Sequence, residues 1–163
     1  SQKHTLANKF CAYGQTANLA IRRLALEKAG LFRPYLTTGG DADLCWRILH
    51  LEIGTLEFAA EAIVQHRHRS TLKELESQWR RYGRSNRYLH ELHGIELMRE
   101  ITLNEYYYRL VRWLLKELPK NSLKAIFGKA SLVDLANTPI SLFTGRARFF
   151  GQQQAQLPSQ ANW

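Results

Sequence analysis

The sequence predicts an α/β fold in its first part and a mainly α-helical extension after it. Residues 1–69 read as helix, helix and strand, whereas amphipathic helical patterns without strands follow from residue 70. Because one or two strands cannot form a sheet core, we expect the first part to need a partner half. The predicted organisation is an incomplete α/β domain at 1–69, a basic helical extension at 70–151 and a disordered, Gln-rich tail at 152–163.

The composition of the 163 residues fits a folded chain with a strongly basic surface, since the formal net charge is +9. Residues 1–69 hold nine Lys and Arg against six Asp and Glu, and residues 70–163 hold fourteen against eight. Such a surface attracts the phosphates of nucleic acid, anionic lipid or a nucleotide-sugar, and charge alone does not choose among them. Cys11 and Cys45 are too few for a disulfide framework, which favours free thiols in a reducing compartment.

The local patterns of the first part define four elements. Residues 16–21 predict a short buried strand, and residues 23–29 predict a helix that Gly30 ends as a left-handed residue. Asp41 is expected to be the N-cap of a second helix, whose apolar positions Leu44, Ile48 and Leu51 follow at helical spacing before Gly54. Residues 55–65 predict a strand, because apolar and polar side chains alternate and two β-branched residues follow.

The extension predicts three amphipathic helices. Ser70 or Thr71 can cap the first, with Glu74 as the partner in a capping box and Gly83 as a weak point. The second is predicted at 103–118, ended by Pro119, and the third at 123–136, before Pro139.

The stretch Asp41-Ala42-Asp43 spells the D-x-D pattern that holds Mn²⁺ or Mg²⁺ on a donor diphosphate in many sugar-nucleotide transferases. That motif normally follows an apolar strand, whereas here two Thr and two Gly precede it and a helix follows. We therefore interpret Asp41 as a general base at a helix N-terminus, where the helix dipole favours a carboxylate. The simpler alternative is that Asp41 only caps the helix.

The stretch from Gly39 to Arg47 resembles the "Glu-Asp-x-Asp-Leu-x-x-Arg" block of family-two inverting glycosyltransferases with the GT-A, Rossmann-like fold. The resemblance implies that Asp41 is the catalytic base that deprotonates an acceptor hydroxyl. Gly40 stands where the family has Glu, so this sequence departs from the family's pattern at that position. The remaining positions of this motif are implied to bind the acceptor or support the site: Gly39, Gly40, Asp43, Trp46 and Arg47.

Further segments, the last of them a helix that carries Arg-Tyr-Gly-Arg after the His-containing strand, extend the resemblance to roughly residues 14–87. Residues 14–23 are similar to the family's "Gly-x-x-Asn-x-Ala-x-Arg-Arg" segment, which adds Asn18 to the acceptor side. Residues 62–69 resemble a strand that ends in "His-x-His-Arg". There the resemblance implies His66, and less strongly His68, as a ligand of a divalent metal, either Mn²⁺ or Mg²⁺. Without the resemblance, two His that alternate with two Arg fit a solvated strand end.

Two clusters in the next helix have functional and structural interpretations. Arg80, Arg84 and Arg87 align at i, i+4 and i+7, so they fit a phosphate or membrane-surface contact or a solvated basic face equally well. The residues from His90 to His93 miss the H-E-x-x-H metalloprotease spacing by one residue, and we expect them on a solvated helix surface.

The sequence thus predicts the acceptor-side half of a glycosyltransferase, cytoplasmic or peripheral at the inner face of the cell membrane. It would move a sugar from a nucleotide-sugar donor to a hydroxyl acceptor of a cell-envelope polysaccharide. Because the donor-binding strands are not in this sequence, we expect the isolated chain to be inactive. The alternative is a non-enzymatic basic helical module for nucleic acid or an anionic membrane surface, and nucleic acid is disfavoured because its binding signatures are missing.

Overall fold

The computed structural model describes residues 3–65, 69–129 and 131–159, and 61% of these residues are helical. No strand occurs among them, so the predicted α/β, Rossmann-like fold class is wrong and the described chain is all-helical. A 3₁₀ turn at Thr16–Asn18 and a π-helical turn at Trp113–Glu117 accompany the α-helices. These helices are α1 (Lys3–Leu6), α2 (Arg23–Ala29), α3 (Gly40–His50), α4 (Leu72–His93), α5 (Leu103–Arg112), α6 (Leu118–Ile126) and α7 (Leu132–Gln154).

The two predicted strands fail because a strand needs a partner for its backbone hydrogen bonds. Residues 55–65 have no strand partner in the described part of the chain, and Ile63 remains 84% exposed. The Asn18 Nδ2 donates to the Ala62 carbonyl at 2.6 Å, which ties this segment to the 3₁₀ turn that replaces the first predicted strand.

Helix α2 occupies the predicted residues, and Gly30 follows it with a positive φ of 81°. Helix α3 begins two residues before the prediction, because its N-cap is Gly39, in the left-handed region with φ 73°. Asp41 is therefore the second residue of α3 and not its N-cap, which corrects the sequence-based assignment. The helix ends at His50, before the predicted stop at Gly54.

Helix α4 begins with the predicted capping box, in which the Thr71 hydroxyl accepts from the Glu74 amide and Glu74 bonds back. It crosses α7 at two glycines. A Cβ on Gly83 would lie 1.8 Å from the Arg148 carbonyl oxygen, and one on Gly151 would lie 2.0 Å from the Arg80 carbonyl oxygen. Gly83 is thus the point of closest approach between two long helices, since no other residue type fits there.

The prolines do not end helices where predicted. Helix α5 passes through the π-helical turn into α6, whose first turn holds Pro119, a position that needs no helical N–H. Pro139 lies inside α7, and its missing N–H leaves the Leu135 carbonyl without its helical donor. The Trp113 indole donates to that carbonyl at 2.7 Å, which satisfies it and attaches the α5–α6 rod to α7.

Three small clusters of buried side chains form the core and lie where α3 and α4 meet their neighbours. In contrast, α5, the π-helical turn and α6 contain no buried residue. Residues 152–154, assigned to the tail from sequence, form the end of α7, and the Gln152 amide exchanges two hydrogen bonds with the Met98 backbone. None of the described helices is long and apolar enough to cross a membrane.

Candidate functional site

A wide, open groove of about 2570 Å³ lies in front of the N-terminus of α3. One wall comes from residues 13–22 and another from residues 54–64, both of which lack α-helix. Helix α4 contributes Gln78, Trp79 and Tyr82 to the lining of the groove, and α7 adds Arg148. Asp41 lines this groove at half-buried exposure, so the residue predicted to be catalytic is accessible to a ligand.

The carboxylate of Asp41 is held by two backbone N–H groups. Its Oδ2 accepts from the Thr16 amide at 3.0 Å, and its Oδ1 accepts from the Ala42 amide at 2.9 Å. The second bond satisfies one of the free amides of the first helical turn, so Asp41 does stabilise α3. The first bond fixes the groove wall against that helix. One acceptor position on each oxygen is left over, because a carboxylate has about four.

Two residues further on, Asp43 has the opposite environment. Its side chain is fully buried between the guanidinium groups of Arg33 and Arg47 and the ring of His93. The Arg33 Nη1 lies 3.1 Å from Oδ1, the Arg47 Nη2 lies 3.0 Å from Oδ2, and the His93 Nε2 donates to Oδ1 at 2.8 Å. Asp43 therefore joins three segments of the chain, and it holds α3 against the end of α4.

These neighbours decide the protonation of Asp43. Burial acts to raise the pKa of its carboxyl, but the hydrogen bond from His93 and the charges of Arg47 and Arg33 outweigh it. The pKa of Asp43 therefore lies below its ordinary value, and the group is a buried anion compensated by cations. An anion enclosed in this way supports the fold and has no open position for a ligand.

The other positions of the motif also support the structure. The Trp46 side chain is 3% exposed, and its indole donates to the Cys11 carbonyl at 3.0 Å. Arg47 donates to the Ala29 carbonyl and, at 2.8 Å, to that of Leu31, so it closes the C-terminal end of α2.

The two glycines of the motif differ in how closely their neighbours approach. A Cβ on Gly39 would meet Leu89 Cδ1 at 3.1 Å, and its positive φ disfavours other residues. Gly40 is buried, and a Cβ there would make ordinary contacts with Phe32 at 3.5 Å and Leu36 at 3.6 Å.

Arg148 is the functional candidate that sequence reasoning missed. It lines the same groove as Asp41, and its guanidinium lies 5.8 Å from the centre of the Trp79 ring. Its buried Nε has no hydrogen-bond partner, and no carboxylate of the described residues lies within ion-pair distance. Burial lowers the pKa of Arg148 below its ordinary value. A partly buried cation without a counter-ion is suited to an anionic ligand.

The charges of Asp41 and Arg148 both act on the hydroxyl group of Tyr13. Burial raises the pKa of its hydroxyl, the negative charge of Asp41 raises it further, and Arg148 opposes both. The groove therefore brings a carboxylate, a phenol and a guanidinium within range of one another's charge.

Metal binding finds no support among the described residues. No group of three or more His, Cys, Asp or Glu side chains is arranged there to hold an ion. Both oxygens of Asp41 already accept backbone N–H groups, and Asp43 is enclosed by cations. His66 and His68, the predicted ligands, lie outside the described residues.

The predicted phosphate contacts on α4 are largely engaged within their own helix. Arg80 pairs with Glu76 at 2.9 Å, and Arg87 pairs with Glu91 at 2.6 Å. Arg84 is exposed and has no carboxylate partner in the described chain. Of the three, Arg84 alone remains available to an anion.

His93 is a residue for which the sequence-based expectation is wrong. The sequence predicts that it lies on a solvated surface, yet its side chain is 9% exposed and hydrogen-bonded to Asp43. A signal was present in the sequence, because His93 follows the apolar Leu89 by four residues on the same helix face.

Comparisons of the chain with family models, curated proteins and solved structures found no match.

Proposed function

We propose that this chain provides the acceptor side of a glycosyltransferase, in which Asp41 is the general base of an inverting sugar transfer. The observation that carries the proposal is the contrast within one motif: Asp43 is enclosed by cations, whereas Asp41 borders an open groove. The resemblance of residues 14–87 to family-two glycosyltransferases supports the same role for Asp41.

In the proposed reaction, an acceptor hydroxyl lies in the groove with its hydrogen directed at an oxygen of Asp41. Asp41 takes the proton as the hydroxyl oxygen forms a bond to the anomeric carbon of the donor sugar. The bond between that carbon and the diphosphate breaks on the opposite face, and its electron pair leaves with the nucleoside diphosphate. The sugar is transferred with inversion. No step is assigned to a metal, because the described residues do not assemble a site for one.

The backbone bonds to Asp41 suit this role. The amides of Thr16 and Ala42 fix the direction of the carboxylate, so its remaining acceptor positions are preorganised towards the groove. Arg148 supports a phosphate-bearing ligand in the same space, since its guanidinium lacks a carboxylate partner.

The proposal is tested by release of nucleoside diphosphate from a panel of nucleotide-sugars, with mono- and oligosaccharide acceptors. The assay uses the gene product that carries this sequence at its natural length. We expect Asp41→Asn to lower kcat by about 10²–10⁴-fold, because the amide cannot accept the proton. The free energy of unfolding should change little, since the asparagine oxygen still accepts one backbone N–H.

Glu57→Gln is the matched control, because Glu57 is another carboxylate that lines the groove. Its kcat should stay within about twofold of the parent value. Equal losses in the two variants, or undiminished transfer by Asp41→Asn, would remove Asp41 from the reaction. Failure of every nucleotide-sugar in the panel to release its diphosphate would count against glycosyl transfer itself.

The proposal places the reaction in a reducing compartment, the cytoplasm or the inner face of the cell membrane. It is supported by the free thiols of Cys11 and Cys45, of which Cys45 is buried beside the groove. Burial raises the pKa of both thiols, so they are suited to structural positions and not to nucleophilic ones.

A further inference from the structure

The rod formed by α5, the π-helical turn and α6 presents an apolar face to solvent. Along α5 and the π-helical turn, the exposed side chains follow one another at helical spacing. They are Leu103 (75% exposed), Tyr107 (63%), Tyr108 (66%), Val111 (53%), Leu114 (55%) and Leu115 (68%). The exposure resumes at the end of the rod with Leu123 (59%), Ile126 (77%) and Phe127 (73%). So many exposed large side chains in one continuous helical segment mark an interaction surface.

Positive charge borders this face. Residues 103–129 contain six basic side chains, Arg109, Arg112, Lys116, Lys120, Lys124 and Lys129, against Glu105 and Glu117. Both acids are engaged, because Glu105 pairs with Arg99 at 2.5 Å and Glu117 pairs with Arg112 at 3.1 Å. The lysines have no carboxylate partner within the described chain. The surface therefore combines exposed apolar side chains with an excess of unpaired cations.

We propose that this rod docks on the surface of an anionic lipid bilayer. A bilayer offers acyl chains to Leu114 and Leu115, an interfacial layer to Tyr107 and Tyr108, and negative headgroups to the flanking lysines. A second copy of the chain would bring its own cations against the lysines and arginines of the rod. Duplex DNA would pair with those cations but would leave the apolar face in water. The anionic bilayer is the occupant that satisfies both features.

The rod lies on the bilayer and does not span it. No described helix is long and apolar enough to cross a membrane, and Arg112 and Lys116 interrupt the apolar sequence within the rod. Its attachment to α7 runs through the indole of Trp113, on the side away from the exposed face, so docking requires no unfolding. The groove and Asp41 do not belong to this surface, and the inference is independent of the proposed activity.

The test is flotation with two kinds of vesicle, phosphatidylcholine alone and equal parts of phosphatidylcholine and phosphatidylglycerol. We expect the chain to float with the mixed vesicles at low salt, and only weakly with the neutral ones. Leu114→Gln combined with Leu115→Gln should lower the affinity by about tenfold or more, because two apolar contacts are lost. Leu31→Gln with Leu51→Gln is the matched control, since these leucines are 72% and 61% exposed elsewhere. It should bind within about twofold of the parent.

The charge is tested by Lys116→Gln, Lys120→Gln and Lys124→Gln together, against Lys9→Gln, Lys28→Gln and Lys73→Gln as a charge-matched control. The first set should lose about tenfold or more in affinity, and the second set less, because only the first borders the apolar face. Circular dichroism checks that each variant is folded.

Four outcomes would overturn the proposal. The first is no binding to mixed vesicles, and the second is an equal loss in the test and control variants. The third is a dimer in solution that Leu114→Gln with Leu115→Gln dissociates, without vesicle binding. The fourth is duplex DNA binding that displaces the vesicles and does not depend on either leucine pair.

Discussion

Helix α3 and the α5–α6 rod both combine apolar and charged side chains, but these side chains are buried in α3 and exposed in the rod. In α3, Leu44 and Asp43 are fully buried, and the charge of Asp43 is compensated by Arg33, Arg47 and His93. In the rod, no residue is buried, and leucines and lysines alike face solvent. The comparison teaches that an amphipathic pattern identifies a helix but not its partner. The partner is decided by contacts from distant segments.

The largest expected effect comes from the buried carboxylate. Asp43→Ala leaves two guanidinium groups and an imidazole without their anion, and we expect the free energy of unfolding to fall by about 3–5 kcal/mol. Urea denaturation followed by circular dichroism measures it. Asp41→Ala is the control, with a loss of about 0.5–2 kcal/mol, because Asp41 is only half-buried and its carboxylate accepts two hydrogen bonds, from the Thr16 and Ala42 amides. Equal losses would show that Asp43 has no special structural role.

The leucines give the most direct contrast between the two regions. Leu44→Ala removes a side chain with no exposed area, so we expect a loss of about 2–5 kcal/mol in unfolding free energy. Leu115→Ala removes one that is 68% exposed and should stay within about 0.5 kcal/mol of the parent. A comparable loss at Leu115 would mean that the rod is packed against part of the protein in solution.

The crossing of α4 and α7 is tested at its glycine. Gly83→Ala places a Cβ 1.8 Å from the Arg148 carbonyl oxygen, so the helices must separate, at a cost of about 1–3 kcal/mol or more. Gly145→Ala, also within α7, meets its nearest neighbour at 4.0 Å and should be neutral or slightly stabilising. Equal thermal stability of the two variants would contradict the close crossing.

The smallest expected effect is on the free energy of unfolding at acidic pH. Because the pKa of Asp43 is lower in the folded state, the unfolded chain takes up this proton first as the pH falls. The stabilisation from Asp43 is therefore complete above its unfolded pKa and is lost as the pH falls through the folded one. The unfolding free energy of Asp43→Asn should depend less on pH below about 4 than that of the parent. Identical acid slopes would exclude this coupling.

Local signals in the sequence were sufficient for features that depend on neighbouring residues. Helix α2, the cap at Thr71 and the turn at Gly30 all follow from residues within four positions of each other. The strand predicted at 55–65 failed because alternation does not supply a hydrogen-bonding partner. Neither proline ends a helix where the sequence predicts, because Pro119 is tolerated in the first turn of α6 and the Trp113 indole supplies the hydrogen bond that Pro139 removes.

The candidate site also combines residues that a local motif identifies with contacts between segments that are distant in the sequence. Asp41 could be selected from the sequence because its motif is local, and its place on the groove agrees with an accessible role. Its bond to Thr16 spans 25 residues, and the contacts of Asp43 with Arg33 and His93 come from outside its helix. No local pattern contains such pairs. No signal in the sequence placed Arg148 at the groove, because its position depends on the crossing of α4 and α7 at Gly83.

The assignment of Asp41 as the base is tested most directly by chemical rescue of Asp41→Ala with formate. The measured quantity is the rate of nucleoside diphosphate release by the natural-length protein as the formate concentration rises. Removal of the carboxylate leaves space beside the Thr16 and Ala42 amides, in which a small carboxylate can bind and accept the proton. We expect formate to restore transfer by Asp41→Ala in a saturable manner and to leave the parent rate unchanged. A variant that transfers sugar at the parent rate without formate would contradict the account, as would an inactive variant, still folded, that formate does not rescue.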